Sequence, residues 1–560
     1  MTSAASGARV APWLLDPPGN ASAFTPEMLS EEHRLIRQTA DEFMTNEVLP
    51  GIDRLERKDW TFARELVVKC GELGLLGTDV AEDYGGLAMD KVSSLIVGES
   101  VGRLASFATI FGAQTGLSIT PLLCFGTPAQ KQRYLPRLVT GELLGAYALS
   151  ESGAGSDALG ARARADRNPD GSFTLTGEKM WITSGGFADV FIVFAKVDGE
   201  AFTAFIVERA FGGVTSGHEE HKMGLHGSST TPLILQEVRV PAENVLGEIG
   251  RGHKVAFNVL NYGRFKLAAM CSGAARFIIG EAAKYAAQRR QFGKSIAEFG
   301  AIRHKLSEMT ARQYALESML YRIAGSFDTA LDGRHDDLAV LSALEEHAIE
   351  ASIVKVAGSE MLDYVVDENV QIHGGNGFVR DYPAERHYRD ARVNRIFEGT
   401  NEINRLLIPA MLLRRKPDVT TENTGSVDPL AVMKATAGRV LSTAAATYGT
   451  SLGEQQQVLS WAADILIDVF ACDSVRARAS AAPASGDPLH EAIAALYING
   501  AAARVEVAAR NALAAMLDGA TLAAAASQLR SSFDLPPLNT VPLRDQIAGA
   551  VVSRGKYPFA

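Results

Sequence analysis

Cysteine is scarce in this chain. Its 560 residues hold four, Cys70, Cys124, Cys271 and Cys472, widely scattered and with no CxxC pair. That spacing speaks against a disulfide framework or a zinc site and favours a reducing compartment. Positive charge is also short: 55 Lys and Arg face 65 Asp and Glu, a formal net charge of −10. Nucleic-acid binding asks for a basic face, so no nucleic-acid partner is expected, although a local basic pocket for a phosphorylated ligand is compatible with this balance. No apolar run reaches the ~18 residues of a membrane span. The first twenty residues carry one basic residue, Arg9, and no apolar core. Neither a secretory signal nor a transit peptide is expected, and the expected location is cytoplasmic.

What is present suffices for large cores: 47% hydrophobic and 21% charged residues, in a length that implies several domains at roughly 150 residues each. Residues 1–25, rich in Ala, Gly, Ser and Pro, read as an extended arm. Residues 26–145 read as helical. Thr25-Pro26-Glu27 and Ser30-Glu31-Glu32 are helix starts, a helix is expected to end at Gly71, and Gln130 to Leu138 is amphipathic. The period then changes to that of strands at 146–150, 172–176, 190–195, 203–207, 232–235 and 238–240, which defines a β-domain at 146–250. Helical patterns return over 251–412, with breaks expected at Gly325 to Gly333 and at Gly374 to Tyr382. Residues 413–428 read as a linker. Residues 429–560 form an alanine-rich helical domain that closes, after Leu535-Pro536-Pro537, in a tail lying on other elements.

Five stretches carry chemistry. Ser150-Glu151-Ser152-Gly153-Ala154-Gly155-Ser156-Asp157 follows the first strand. It is no Rossmann fingerprint, because strands rather than a helix follow; a ligand-holding loop and a plain β-turn both fit. Trp181-Ile182-Thr183 puts an aromatic and a hydroxyl two apart, on one face of a strand, where a planar heterocycle or ordinary core packing would use them. Arg289-Arg290-Gln291-Phe292-Gly293-Lys294 ends a helix with cations and an aromatic, suited to a pyrophosphate or to the helix dipole. Gln371-Ile372-His373-Gly374-Gly375-Asn376-Gly377-Phe378 reads as a loop; no second metal-type residue accompanies His373, so a packing role is favoured and no metal is expected. Arg395-Ile396-Phe397-Glu398-Gly399-Thr400-Asn401-Glu402 sets a carboxylate beside an aromatic and before a Thr-capped helix start. A partly desolvated carboxylate there suits a general base, and a solvated turn glutamate is the alternative.

In order and approximate spacing, these stretches resemble the acyl-CoA dehydrogenase family over about residues 25–410. The helical region after 429, and Val207-Glu208-Arg209-Ala210-Phe211-Gly212-Gly213, resemble its very-long-chain branch. The resemblance implies a mainly α fold with a central β-domain: an α-domain, a β-barrel-like domain and an α-bundle, then the extra helical domain. It implies FAD as cofactor, a fatty acyl-CoA substrate, with long chains the class of that branch, and conversion to the trans-2-enoyl-CoA. Glu398 would take the α-proton, the β-hydrogen would leave as hydride to flavin N5, and the Glu398 N–H would help hold the thioester oxygen. Tyr147, Leu149, Ser150, Gly155, Ser156, Trp181, Ile182, Thr183, Thr400 and Glu402 match positions that hold the flavin. Arg289, Phe292, Gln371, Gly374 and Gly375 match positions that reach the FAD of a neighbouring subunit. Ser156, Asn261, Arg264, Phe397 and Gly399 match positions near the substrate. Gly263 stands where some members place the base, which leaves Glu398 that role. Ser118 and Pro121 stand where the very-long-chain branch has glycines at the floor of its acyl tunnel.

The same resemblance implies a homodimer, an electron-transfer flavoprotein as acceptor, and membrane contact through the C-terminal domain as an open option. An acyl-CoA oxidase and a non-catalytic scaffold or assembly protein on the same fold are the competing readings.

Overall fold

The computed structural model describes residues 11–17, 23–416, 426–482 and 486–559. Most of the expected linker, and much of the expected arm, lie outside these ranges.

The N-terminal unit is built from α1 (Pro12–Leu15), α2 (Glu31–Phe43), α3 (Ile52–Glu56), α4 (Trp60–Glu72), α5 (Lys91–Val101), α6 (Ala105–Gln114), α7 (Thr120–Phe125) and α8 (Pro128–Val139). Ser30 opens α2 with a reciprocal capping box to His33, and Thr127 does the same for α8 with Gln130. The Gln130 amide also donates to Glu243 O and Val245 O, which docks α8 on the β-domain. Two expectations fail here. α4 runs through Gly71 and stops before Gly74, whose φ is +74°; Gly71 instead serves close packing, since an added Cβ would lie 2.4 Å from Thr140 O. The arm is not wholly extended: α1 buries Trp13, which packs at a tilt on Phe470 and donates to Glu350.

The β-domain comprises β1 (Gly145–Ala148), β2 (Arg164–Arg167), β3 (Phe173–Thr183), β4 (Val190–Val197), β5 (Ala201–Glu208), β6 (Val214–Ser216), β7 (Thr230–Val240) and β8 (Val245–Leu246). The strand order is β6-β7-β3-β2-β4-β5-β8, with β1 parallel to β4. β4 is apolar on both faces because it lies inside this sheet with helices beyond, and its residues enter two separate cores. β2, β6 and β8 escaped the sequence reading; they are short, and three of the four residues of β2 are charged. A bulge between Lys179 and Ile182 breaks the alternation expected of Trp181 and Thr183: Trp181 takes φ +59° and is 56% exposed, whereas Ile182 turns into the β-core.

The second helical unit holds α9 (Gly252–Gln288), the small hairpin β9 (Arg290–Gln291) and β10 (Lys294–Ser295), α10 (Gly300–Leu331), α11 (Asp337–Glu346), α12 (Ala348–His373), α13 (Ala384–Ala391) and α14 (Asn401–Arg414). α9 and α12 pack along each other. The cluster Arg289 to Lys294 ends α9, with Arg289 as its C-cap, and goes on to form the hairpin, with Phe292 and Gly293 at positive φ in its tip. Gly325 does not break α10. It sits inside, where Phe24 packs so closely that an added Cβ would lie 2.3 Å from Phe24 Cβ; the break comes at Asp332, with φ +48°. α12 runs to His373, so Gln371 to His373 are helical rather than loop, and the chain breaks from Gly374 through Tyr382, as expected, before α13.

The extension contains α15 (Pro429–Tyr448), α16 (Gln456–Ala481), α17 (Leu489–Met516), α18 (Gly519–Ser532) and α19 (Val541–Arg554). The closing segment is thus not merely a tail: α19 is a helix on α10, and Tyr557 is buried behind it. Two stretches, Ala105–Phe125 and Leu489–Met516, reach the length and mean hydropathy of a membrane span, against the sequence expectation. Scattered polar residues hid them from a search for unbroken apolar runs. The first is mostly buried in the protein core and the second about half buried.

Candidate active site

The turn between α13 and α14 is held from beneath. Glu398 and Gly399 both take left-handed backbone, with φ of +57° and +78°, a strain a non-glycine residue bears only when its surroundings enforce it. Three side chains enforce it. Arg264 Nε donates to Glu398 O at 3.2 Å, Lys355 Nζ to Gly399 O at 2.8 Å, and the Asn404 amide to Gly399 O and Thr400 O at 2.9 and 3.0 Å. Thr400 caps α14 through Ile403 N. Arg264 is itself steadied by Asn261 and Ser352. The cations thus grip the backbone and leave the carboxyl group of Glu398 free: its Oε2 is buried without a hydrogen-bond partner. The Glu398 N–H also donates to nothing among the described residues.

Burial sets the electrostatics. Desolvation pushes Glu398 up to about 7, although the charges of Arg264 and Lys355 pull the other way. The same desolvation lowers Arg264 to about 10 and Lys355 to about 8. A carboxylate poised near neutral pH has the acid–base range of a general base. Gly263 faces it across α9: an added Cβ would lie 2.8 Å from Oε2. No other residue fits there without moving the carboxylate.

Glu398, Phe397, Gly263 and Thr183 stand around one end of a cavity of about 100 Å³ that runs between α6 and α9. Its α6 wall is made of small residues, among them Ala105, Ala108 and Gly112, and the α9 wall of Lys266, Met270 and Ala274. Neither Ser118 nor Pro121 lines it. Ser118 belongs to a π-helical turn, Thr115–Ile119, where its hydroxyl donates to Ala113 O and its side chain packs on Gly145. The cavity lining extends along α9 from Gly263 to Ala274 and reaches Gly102.

Tyr147 on β1 lies within electrostatic reach of Glu398, and its buried hydroxyl has no partner. Beyond β1, Leu149 is partly buried, and Ser150 O accepts from Met180 N at 2.9 Å, which ties the loop to β3. Gly155 and Ser156 are exposed on that loop. Glu151 anchors it, accepting from Arg162 N, Ala163 N and the buried Lys179. Glu402 is exposed in the first turn of α14.

The structure does not bring Arg289, Phe292, Gln371, Gly374 and Gly375 to this site. Arg289 is twenty-five residues beyond Arg264 along α9, roughly 37 Å at 1.5 Å per residue. The Gln371–Phe378 stretch instead packs on the last turns of α9: Tyr285 stacks on His373 at 4.0 Å, and its hydroxyl bonds His373 O and Asn376. Phe292 is 93% exposed and Phe378 86%. His373 is thus a packing residue.

Sequence reasoning missed Lys355, Asn404, Lys179 and Lys266. Lys355 and Lys266 had a signal, sitting among apolar residues as in Ile353-Val354-Lys355-Val356 and Phe265-Lys266-Leu267; Lys179 and Asn404 had none.

A helical unit, a β-domain and a helical bundle closing on a turn-borne carboxylate beside an apolar cavity define a class. The family models for acyl-CoA dehydrogenase match it: the N-terminal domain over residues 30–142, the middle domain over 146–238, and C-terminal domains over 250–413 and 433–531. The chain belongs to the acyl-CoA dehydrogenase family. It is 43% identical to a probable acyl-CoA dehydrogenase of Bacillus subtilis (strain 168), over 95% of this chain and 96% of that one. It is 42% identical to the mitochondrial very long-chain specific acyl-CoA dehydrogenase of Bos taurus, over 64% of this chain and 53% of that one. Among solved structures, an acyl-CoA dehydrogenase complexed with FAD from Bacillus anthracis superposes with a TM-score of 0.95 at 41% identity, covering 98% of this chain and all of that one.

Proposed function

We propose that this chain is an FAD-dependent dehydrogenase that converts a fatty acyl-CoA to the 2-enoyl-CoA, with Glu398 as the α-proton base. The observation that carries the reading is the unpartnered Glu398 carboxyl group, its backbone pinned by Arg264, Lys355 and Asn404, at the end of an apolar cavity.

The residues present fit FAD. Three buried hydroxyls, of Tyr147, Ser184 and Thr231, lack partners around β1 and the β3–β7 pair, and an added Cβ at Gly153 or Gly155 meets open space. Tyr147, Leu149, Ser150, Gly155, Ser156, Trp181, Thr183, Thr400 and Glu402 would hold the cofactor, with Ile182 contributing backbone only. Bound FAD supplies the two-electron acceptor for the β-hydrogen.

The chain's own groups do the rest. Glu398 accepts the proton from the carbon next to the thioester, and the free Glu398 N–H donates to the thioester oxygen as negative charge builds there. Phe397 and the small residues of α6 keep water from the carboxylate, and Gly263 leaves it room. Arg289, Phe292, Gln371, Gly374 and Gly375 would act on the site of a second copy, since the length of α9 separates them from their own Glu398; this supports a homodimer. An electron-transfer flavoprotein is the inferred acceptor.

The test is an anaerobic titration of the purified yellow protein with acyl-CoAs of increasing length. Bleaching of the flavin by one length class is expected. Protein that cannot be loaded with FAD, or a flavin that no acyl-CoA bleaches, overturns the proposal, and rapid reoxidation by oxygen would reassign the acceptor.

A further inference from the structure

One cation near the site has no acceptor. Arg264 and Lys355 each donate to at least two oxygens. Lys266, one turn along α9 from Gly263 and on the same face, makes no hydrogen bond or ion pair among the described residues. It is 5% exposed and lines the cavity. Its stem passes Gly116, where an added Cβ would lie 3.7 Å from Cδ. The ammonium meets only ring faces, of Tyr262 at 4.9 Å and Phe111 at 5.9 Å. The one carboxylate whose charge reaches it, Asp79, is already engaged: Oδ2 accepts Lys91 Nζ at 2.5 Å and the Tyr262 hydroxyl. Desolvation lowers Lys266 to about 8, which leaves it mostly charged at neutral pH.

A buried, unpaired ammonium is unfavourable in the wall of a hydrocarbon channel. It also works against a plain alkyl chain, which must lie against it without offering an acceptor. The lining also includes Gly112, Gly116 and Leu117, so beyond the two ring faces and the shared charge of Asp79 no protein oxygen among the described residues is bonded to it. A ligand that brings its own oxygen removes the penalty, as a buried polar site selects substrates that satisfy it over analogues that leave it unpaired.

We propose that Lys266 is a specificity-determining residue that selects acyl groups bearing an oxygen acceptor, a hydroxyl or a carboxylate, on the chain beyond the thioester. The cavity continues past Lys266 to Ala274, so the oxygen is carried along the chain or at its end. The inference rests on the acyl-CoA reading above.

The test compares kcat/KM of the FAD-loaded full-length protein for saturated, hydroxylated and ω-carboxylated acyl-CoAs, each at six and at twelve carbons, in the wild type, Lys266→Met and Lys266→Arg. An oxygen-bearing thioester is expected to exceed its saturated parent by at least about tenfold in the wild type, and whichever arm wins identifies the group. Lys266→Met should reverse that preference by raising the parent, and Lys266→Arg should keep it. A wild-type preference for the saturated parent at both lengths overturns the proposal, as does a preference that survives in Lys266→Met. The wild-type comparison stands even if Lys266→Met does not fold. Failure of every thioester to bleach a bound flavin is a separate result, because it removes the dehydrogenase reading itself.

Discussion

Arg478 and Glu398 are both buried charged groups, and the protein provides for them in opposite ways. Arg478, on α16, is fully enclosed and meets Glu317 at 2.7 Å and Glu27 at 2.7 Å; Tyr557 completes Glu317 at 2.8 Å. Nearby, Asp473 takes both Arg322 and Lys434. The larger groove between α12, α14, α16 and α17, about 720 Å³, follows the same rule, with Arg405 on Glu360 and Asp464 and Arg504 on Asp468. At the smaller cavity, Glu398 Oε2 goes without a partner, as does the Tyr147 hydroxyl near it, and the Lys266 ammonium meets only ring faces. Size therefore misleads about where chemistry happens. Completed pairs hold the extension to the bundle, and the unpartnered Glu398 carboxyl group faces the cavity that a ligand would enter.

The comparison breaks most sharply at Glu398. Glu398→Gln should keep the flavin spectrum and lower kcat by about 10² to 10⁴, the usual contribution of a general base. In the wild type, kcat/KM should rise with pH through about 7, because the protonated carboxyl group cannot accept the substrate proton. Stability should run the other way. A carboxyl group whose pKa is raised on folding favours the folded state at low pH, and loses that contribution as pH climbs from about 4.5 through about 7. Thermal melts should therefore show Glu398→Gln gaining on the wild type across that window. A parallel pH dependence in the two proteins would mean that Glu398 is paired after all.

Arg478→Met makes the opposite kind of change. It leaves the half-buried Glu27 without its cation and the buried Glu317 with Arg276 alone, at 3.6 Å, a loss of about 3–5 kcal/mol for a broken buried pair. Urea denaturation should show it, with kcat in the surviving native protein little altered.

Much of this was legible before the fold. Thr400 as a cap, Glu398 on a turn and the strand runs of the β-domain follow from local rules: cap chemistry, period and turn residues. What escaped was set by distant partners. Gly71 and Gly325 look like breakers, yet each is a helical glycine that lets Thr140 or Phe24 approach. The bulge that gives Trp181 positive φ arises in the pairing of β3 with β7, and α19 depends on the side of α10 that it covers. Asn404, which satisfies the backbone beneath the carboxylate, sits in the sequence as one more polar residue of an ordinary helix.

Gly263→Ala sharpens the comparison more gently. The added methyl group meets Oε2 at 2.8 Å and Cδ at 3.1 Å. These atoms end a flexible side chain, so the carboxylate shifts rather than the helix. A loss of about tenfold in kcat, with flavin content unchanged, is the expected size for a displaced reacting group. An unchanged kcat would show that the carboxylate has other productive positions.

The smallest effects concern chain length, and they separate two possible floors. Gly112 lies on the cavity wall with Met270 Cε 3.1 Å from an added Cβ, so Gly112→Leu fills the channel and should move the preferred acyl-CoA to shorter chains. Ser118→Gly should leave that preference within about twofold, since one small group near a pocket changes discrimination little even when it touches substrate. Ser118 does not touch the cavity; its hydroxyl closes a turn on Ala113 O, and its Cβ packs against Gly145 at the start of β1. A shift to longer chains in Ser118→Gly would require the π-helical turn Thr115–Ile119 to relax and open the channel past Gly116 toward β1, which would place the floor there.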